Sequence, residues 1–553
     1  MRQTSSGTSL SFLTGPVGVV VGLTAVLVIS LLFRYSQKAS SPAVTVDYQT
    51  AVGAISPLAF PTADGFGKNA VGGRNGQVIY VTNLNDSGPG SLRACSDATG
   101  PRICLFRVGG TITLGSQLRI KNPYLTIAGQ TAPGGGITLK TTSSGAALSV
   151  ETHDVIVRYI RVRPGPVGSV DAFAILSGYN IVFDHITASW ATDENIGITT
   201  STAERRDITV QWSIISEGLH NSTHSEGPHS KGILMGDHTK RVSVHHNLLA
   251  HNDDRHPLYK GDTTGEFINN LVYNWQKSNG ATHVNDSDGS GPSFLNLIGN
   301  HYIPGPSTPA VKPITFATNT HASTRIYVSN NIGPGRTTNS GDEWLLVDDF
   351  KTSSDLTSLH RTNALATAAS GLTPDPVESV KEMILSSAGA SLGLNGRGQS
   401  FGRRDTVDNR IVNDVKNGTG RIINNPSEVG GWPVLDPGIA YQDDDRDGMG
   451  DEWEVTYFGN TARGTASNSS SDFDADGYTD LEEFLNQTDP KVAGGTTTPP
   501  SNSADLNADG RVDVIDLGIL LSAWGQTTKP KADINQDGRV DVVDLGILLS
   551  KWG

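Results

Sequence analysis

Cysteine is almost missing: the 553 residues contain two, Cys95 and Cys104. So few exclude a disulfide-built scaffold, and they leave no cysteine pairs at zinc-ligand spacing. In an oxidising compartment the two would close a short loop as a disulfide; two separate buried thiols are the alternative. A basic excess is also missing, with 42 Lys+Arg against 56 Asp+Glu and a net charge of −14, which argues against nucleic acid as the main partner. Proline is not abundant enough for a collagen or a wholly disordered chain. Long apolar runs are absent with one exception. No charged residue occurs from Gln3 to Phe33, and Gly15 to Phe33 is nearly all apolar or small. That run approaches the ~20 residues that cross a bilayer as a helix. It is expected to be a retained anchor, with a cleaved signal peptide as the alternative. Either way the body is expected to be exported, secreted or held at the cell surface by its N-terminus.

What is present is glycine, 63 residues, and an uneven charge. Residues 443–553 hold 22 acidic and 8 basic side chains, whereas residues 1–442 hold 34 of each. The acidity therefore belongs to the C-terminal fifth. Through the middle runs a loose repeat of short β-rich phrases, among them VIVRYIRV, NIVFDHIT, DITVQWSII, RVSVHHNLLA and RIYVSNNIG. Their apolar anchors are Val157, Phe183, Val210, Val244, Phe267, Leu297 and Val328, spaced 26, 27, 34, 23, 30 and 31 residues apart. Such periods signal a solenoid. The phrases are too short and β-branched for helical repeats and too few per unit for a propeller, which leaves an all-β parallel β-helix. Asn247, Asn270, Asn300 and Asn331 each fall three residues after an anchor, as a stacked amide ladder requires.

Residues 341–440 lose the repeat. PDPVESVKEMILSSAG and RRDTVDNRIVNDVKNGTG have helical apolar spacing and end in glycine, so this extension is expected to pack on the β-helix. The expected organisation is a signal or anchor with linker (1–44), a β-helix (45–340), the extension (341–440), an acidic module (441–492), a Thr/Pro/Ser linker (493–503) and a final α-helical module (504–553).

The acidic tail repeats one loop design. DDDRDGMGDEWE sets Asp443, Asp445, Asp447, Asp451 and Glu454 at positions 1, 3, 5, 9 and 12 of a 12-residue loop, and DFDADGYTDLEE does the same with Asp472, Asp474, Asp476, Asp480 and Glu483. Oxygen ligands at these places around a turning glycine are an EF-hand-like calcium loop. Two near-identical units follow, with Asp505, Asn507, Asp509, Asp513 and Asp516, then Asp533, Asn535, Asp537, Asp541 and Asp544. Each runs into an apolar helix, Leu517–Trp524 and Leu545–Trp552, and calcium is expected to contribute to their folding. This duplicate resembles a type I dockerin. The resemblance implies a cohesin-type scaffold as partner, with Val514, Ile515, Val542 and Val543 at the recognition positions.

The chemistry-bearing segment is NLLAHNDDRHPLYK, whose core is Arg255-x-Pro257-x-x-Lys260; upstream, GPHSKG carries Lys231. Cations and imidazoles on neighbouring coils point to an anion site, and a solvated basic face is the bland alternative. AFPTADGFGKNAVGGRNGQVIYVTNLNDSGPGSLRAC, GPRICLFRVGGTI, VFDHITASWATDEN, GPHSKG and HHNLLAHNDDRHP together resemble family 1 polysaccharide lyases, the pectate lyases, over roughly residues 60–440. The resemblance implies a right-handed parallel β-helix and calcium-dependent β-elimination of polygalacturonate. Arg255 matches the arginine that takes the C5 proton, and Lys231 the lysine that holds the substrate carboxylate. Lys260 stands where the family usually has a second arginine. Asp171 and Asp193 match calcium ligands, while Ser169 and Gly197 replace acidic residues, Glu194 standing in for the latter. His220, His224, His229 and His256 are possible helpers.

Two rival readings remain. A β-helix glycoside hydrolase would need two carboxylates flanking the bond, which Asp184, Asp193, Glu194, Asp253 and Asp254 could supply. A non-catalytic polysaccharide-binding surface protein would bind polygalacturonate and release no unsaturated sugar.

Overall fold

A computed structural model describes residues 57–199, 203–286, 289–349, 359–464 and 470–494, and much of 504–552. The N-terminal apolar run, most of the 493–503 linker, and Asp505, Asn507, Asp509, Asp533, Asn535 and Asp537 lie outside the described residues. Among those described, no helix is long and apolar enough to cross a membrane.

Short parallel strands wind through about nine turns of a β-solenoid. The complete turns lay one strand on each of three faces, and the first and last lack a second-face strand. The first face stacks segments such as Val155–Arg158, Arg205–Gln211, Lys240–His245 and Thr264–Ile268. The second is an 8-stranded sheet that includes Thr187–Ser189, Ile214–Ser216 and Leu248–Ala250. The third includes Glu194–Ile198, Lys231–Met235, Leu258–Tyr259 and Thr282–Val284. The first and third faces count as one 18-stranded sheet because the 15-residue strand Val170–Asp184 runs through both.

The repeat phrases set the register. Val157 pairs with Phe183, Phe183 with Val210, Val210 with Val244, Val244 with Phe267, Phe267 with Leu297 and Leu297 with Val328. All seven anchors lie in one buried core. Unequal spacing is absorbed by the loops, which leave the sheet without disturbing the stack. Registered stacking buries each β-branched or aromatic side chain against the next, which stabilises by roughly 1.5–3 kcal/mol per fully buried residue.

The predicted ladder is present at the bend between the first two faces. Asn247 Nδ2 donates to Asn270 Oδ1 at 3.0 Å, Asn270 Nδ2 to Asn300 Oδ1 at 3.0 Å and Asn300 Nδ2 to Asn331 Oδ1 at 2.8 Å. All four are fully buried. Cys95, in the helix Leu92–Asp97, is disulfide-bonded to Cys104 in the strand Arg102–Phe106.

The last strand of the solenoid is Val347–Asp349, paired with Ile314–Phe316. Beyond it, the helices Val377–Ser387 and Thr406–Asn417 cover the second face. Val380, Ile384, Ile411 and Val415 pack there on Ile214, Leu248, Leu271 and Tyr273. Asp405 caps the second of these helices by accepting from Val407 and Asp408 N–H, and Gly418 ends it at a φ of 68°.

The first pair of acidic loops is part of the body. Their helices, Asp451–Phe458 and Asp480–Asn486, place Trp453, Leu481 and Phe484 against Val78, Ile103, Leu105 and Ala128 on the outside of the first face. Polar contacts reinforce the join. The Tyr80 hydroxyl donates to Asp443, and Arg158 Nη1 donates to Asn486 Oδ1 at 2.6 Å. The C-terminal helices are Val514–Ser522 and Val542–Ser550, starting three residues before the apolar stretches that predicted them. Asp513 explains the earlier start in the first copy, because its side chain accepts from Ile515 N–H and caps the helix there.

Candidate active site

The third face brings the predicted residues together strand by strand. Glu194 pairs with Lys231, Lys231 bridges to Asp254, and Arg255 follows directly. Asp171 opens the groove on the strand before, where its Oδ1 accepts the Glu194 N–H at 3.0 Å. Potential ligand oxygens of Asp171, Asp193 and Glu194 all lie within 4.8 Å of one another. Burial, and then the charge of Asp193, push the Asp171 carboxyl well above its usual range, with Arg255 opposing.

Arg255 sits at a bend with a φ of 65°, and its Nη1 meets the Glu194 carboxylate. Its Nε has no hydrogen-bond partner among the described residues. Burial lowers the guanidinium pKa, against the pull of Asp193 and Asp171. Lys231 is 4% exposed. Its Nζ lies 3.2 Å from Asp254 Oδ2 and 3.5 Å from Asp253 Oδ2. Lys260 is placed differently. Its N–H donates to the Met235 carbonyl at 2.9 Å, at the opposite end of the same strands, roughly 16 Å of extended chain from Arg255.

The candidate helper histidines divide. His224 Nε2 and His229 Nε2 lie 3.2 and 3.3 Å from the two Asp193 oxygens. His224 Nδ1 accepts the Glu226 N–H at 3.1 Å, so its proton is on Nε2 and is donated to Asp193. His224 is thereby committed to Asp193 as a donor, while His229 Nδ1 has no hydrogen-bond partner among the described residues; atoms of Asp193, His224 and His229 lie within 4.8 Å of one another. Burial would raise the Asp193 pKa, but the bonds from His229 and His224 hold it below the usual carboxylate range. His220 Nδ1 is 3.0 Å from the His229 carbonyl. His256 faces the interior, fully buried, and burial pushes its pKa down to about 3. Asp184, one of the carboxylates considered for hydrolysis, is outside the groove. It is fully buried at the bend after the first face, 2.7 Å from Arg158 Nε and 2.8 Å from His185 Nδ1.

Sequence reasoning missed His283. It lies on the groove face with its Nε2 2.9 Å from Asp254 Oδ1. The signal is register: His283 pairs with Leu258, whereas the sequence repeat marks only first-face phrases.

The cluster is suited to a divalent cation. Asp171, Asp193, Glu194, Asp253 and Asp254 outnumber Lys231, Arg255 and Lys277, which pairs loosely with Asp253. A polyanion would meet net negative charge there unless a cation bound first. At Gly197 a Cβ would stand 2.6 Å from Asp171 Oδ2, so glycine leaves that carboxylate its space.

The first two acidic loops also fit calcium. Asp443, Asp445 and Asp447 converge, as do Asp472, Asp474 and Asp476. Oxygens of Asp443, Asp447, Glu454, Asp474 and Glu483 are buried with no hydrogen-bond partner among the described residues. Burial and neighbouring carboxylates raise Asp447 to about 7, Glu454 to about 8 and Glu483 to about 9. The ninth-position residues close the loops. Asp451 Oδ1 accepts the Asp444 N–H, and Asp480 accepts the Phe473 N–H while pairing with Arg463 at 2.6 Å. In the C-terminal copies Asp516 and Asp544 accept the N–H groups of Leu506 and Ile534, each at 2.7 Å, and Asp513 and Asp541 accept from Ile515 and Val543 N–H.

The Dockerin type I domain family matches residues 503–551. Probable pectate lyase C of Aspergillus fumigatus is 38% identical over 442 residues, covering 79% of this chain and 94% of the relative. Probable pectate lyase C of Emericella nidulans is 39% identical over 448 residues, with the same coverage. Among solved structures, the cedar pollen allergen Jun a 1 aligns at 17% identity and a TM-score of 0.43, covering 59% of this chain and 92% of that one. A Bacillus subtilis pectate lyase variant aligns at 14% and 0.39, covering 61% and 98%. The class is thus a β-helix polysaccharide lyase with a C-terminal dockerin type I module. The chain belongs to the pectate lyase family.

Proposed function

We propose that the chain cleaves polygalacturonate by calcium-assisted β-elimination on its third face, with Arg255 as the base. The carrying observation is the adjacency of Arg255 to the Asp171, Asp193 and Glu194 carboxylates, with Lys231 on the strand between. Those three carboxylates would hold calcium, which when bound supplies a Lewis acid for the uronate carboxylate. Lys231 would hold that carboxylate electrostatically as charge develops beside it. Arg255 would take the C5 proton. The electron pair left behind forms the C4–C5 double bond, the C4–O bond breaks, and the departing sugar oxygen gains a proton. The burial that lowers the Arg255 pKa moves it in the direction a base requires.

Lys260, at the far end of the strands, would meet a neighbouring sugar carboxylate as a point charge rather than a bidentate fork. The dockerin-type module would attach the enzyme to a cohesin-type scaffold through Val514, Ile515, Val542 and Val543. All four are exposed, Val514 at 69% and Val542 at 68%. Calcium would be held there and in the first acidic pair. The Cys95–Cys104 bond fits an exported protein.

The test incubates the chain with polygalacturonate, with and without chelator, following both ultraviolet absorbance of unsaturated product and reducing ends. Lyase action requires both signals, lost with chelator. Reducing ends without the chromophore would favour the hydrolase, and binding with neither signal a non-catalytic surface protein.

A further inference from the structure

His283 belongs to no motif that identifies the groove, yet it contacts one of its carboxylates. It sits on Thr282–Val284, one strand beyond Leu258–Tyr259. Its Nε2 lies 2.9 Å from Asp254 Oδ1 and 3.1 Å from the Gly280 carbonyl. Both neighbours are acceptors, so Nε2 carries a proton and donates to them. Asp254 Oδ1 also accepts the Arg255 N–H at 2.8 Å. Only Oδ2 faces Lys231 Nζ, at 3.2 Å. Burial works against ionisation of Asp254, but His283 and Lys231 hold its carboxyl well below the usual range.

We propose that His283 is a positioning residue for Lys231, acting through Asp254; the proposal rests on the reading of Lys231 as the uronate-binding lysine. An ammonium has three donors. With Oδ1 occupied by His283 and the Arg255 N–H, Asp254 engages Lys231 through one oxygen; Asp253 Oδ2 takes a second donor at 3.5 Å, which leaves one for a substrate carboxylate. An aspartate carboxylate rotates easily about χ2. Without His283 only the Arg255 N–H still holds Oδ1, so the carboxylate is freer to turn toward the ammonium and compete with the substrate. The loss falls on binding of the ground state, and so on KM rather than kcat.

The experiment uses the full chain with calcium and compares wild type, His283→Leu, His283→Gln, Asp254→Asn and the His283→Leu/Asp254→Asn double variant. His283→Leu is expected to raise KM for polygalacturonate about tenfold with little change in kcat, the scale of one charge-assisted hydrogen bond. His283→Gln keeps an N–H donor and is expected to restore KM to near wild type. The double variant is expected to bind no worse than Asp254→Asn alone, because both changes act on one carboxylate. Trigalacturonate binding by calorimetry should show the same order. The proposal is overturned if His283→Leu lowers the melting temperature with KM unchanged, if glutamine does not rescue, or if the two effects add. Wild type that binds trigalacturonate in this order but forms no unsaturated product would refute the elimination reading while supporting the role of His283. Unsaturated product with an unchanged His283→Leu KM would do the reverse.

Discussion

Arg74 and Glu482 are 408 residues apart in sequence and meet through Arg74 Nε at 2.8 Å, with both side chains largely buried. The arginine stands beside the first coil and the glutamate on the second acidic-loop helix, so this pair ties the start of the β-helix to a loop pair more than 350 residues later in the chain. Arg74→Ala leaves a buried carboxylate without its cation. The expected cost is about 3–5 kcal/mol, read by chemical denaturation. An unchanged midpoint would mean that the loop pair does not support the body.

Calcium removal should destabilise that same region. The raised pKa values of Asp447, Glu454 and Glu483 mean that the folded, calcium-free form holds protons that the unfolded chain has already released. These three carboxyls should therefore lower the stability of the calcium-free protein as pH rises; below about 6.5 buried histidines such as His256, held neutral in the fold, act in the opposite sense, so the net fall is expected between about 6.5 and 9. Calcium should flatten the dependence by binding the ionised form. Thermal melts across that range with and without chelator give the comparison; calcium-free stability that rises with pH would contradict it.

The amide ladder should be structural alone. Asn270→Ala removes donors to Asn300 and to the Val244 and Ile268 carbonyls, and leaves buried groups unpaired. A loss of about 1–3 kcal/mol is expected, with KM unchanged in the remaining folded enzyme. A selective change in KM would place the ladder in substrate binding instead.

Much of this was legible because a solenoid writes its register into sequence. The seven anchors stack as their phrases align, and each asparagine three residues on is a ladder member. The groove was legible only where motifs carried it, as at Lys231 and Arg255. His283 escaped because third-face strands such as Thr282–Val284 are too short to show a pattern of their own. The docking of the first acidic loops on Val78, Ile103 and Leu105 was hidden as well, because a loop motif specifies its ligands and not the surface that its helices cover. Asp480 carries contacts that the motif does not specify: its carboxylate accepts the Phe473 N–H and pairs with Arg463.

The most direct measurement compares wild type with Arg255→Ala on polygalacturonate in calcium, following ultraviolet absorbance of the unsaturated product while melting curves report the fold. An unaltered melt with product formation reduced by about 10²–10⁴-fold is the expected result. A folded Arg255→Ala enzyme that releases unsaturated product at the wild-type rate would contradict the assignment of the base and of the groove built around it.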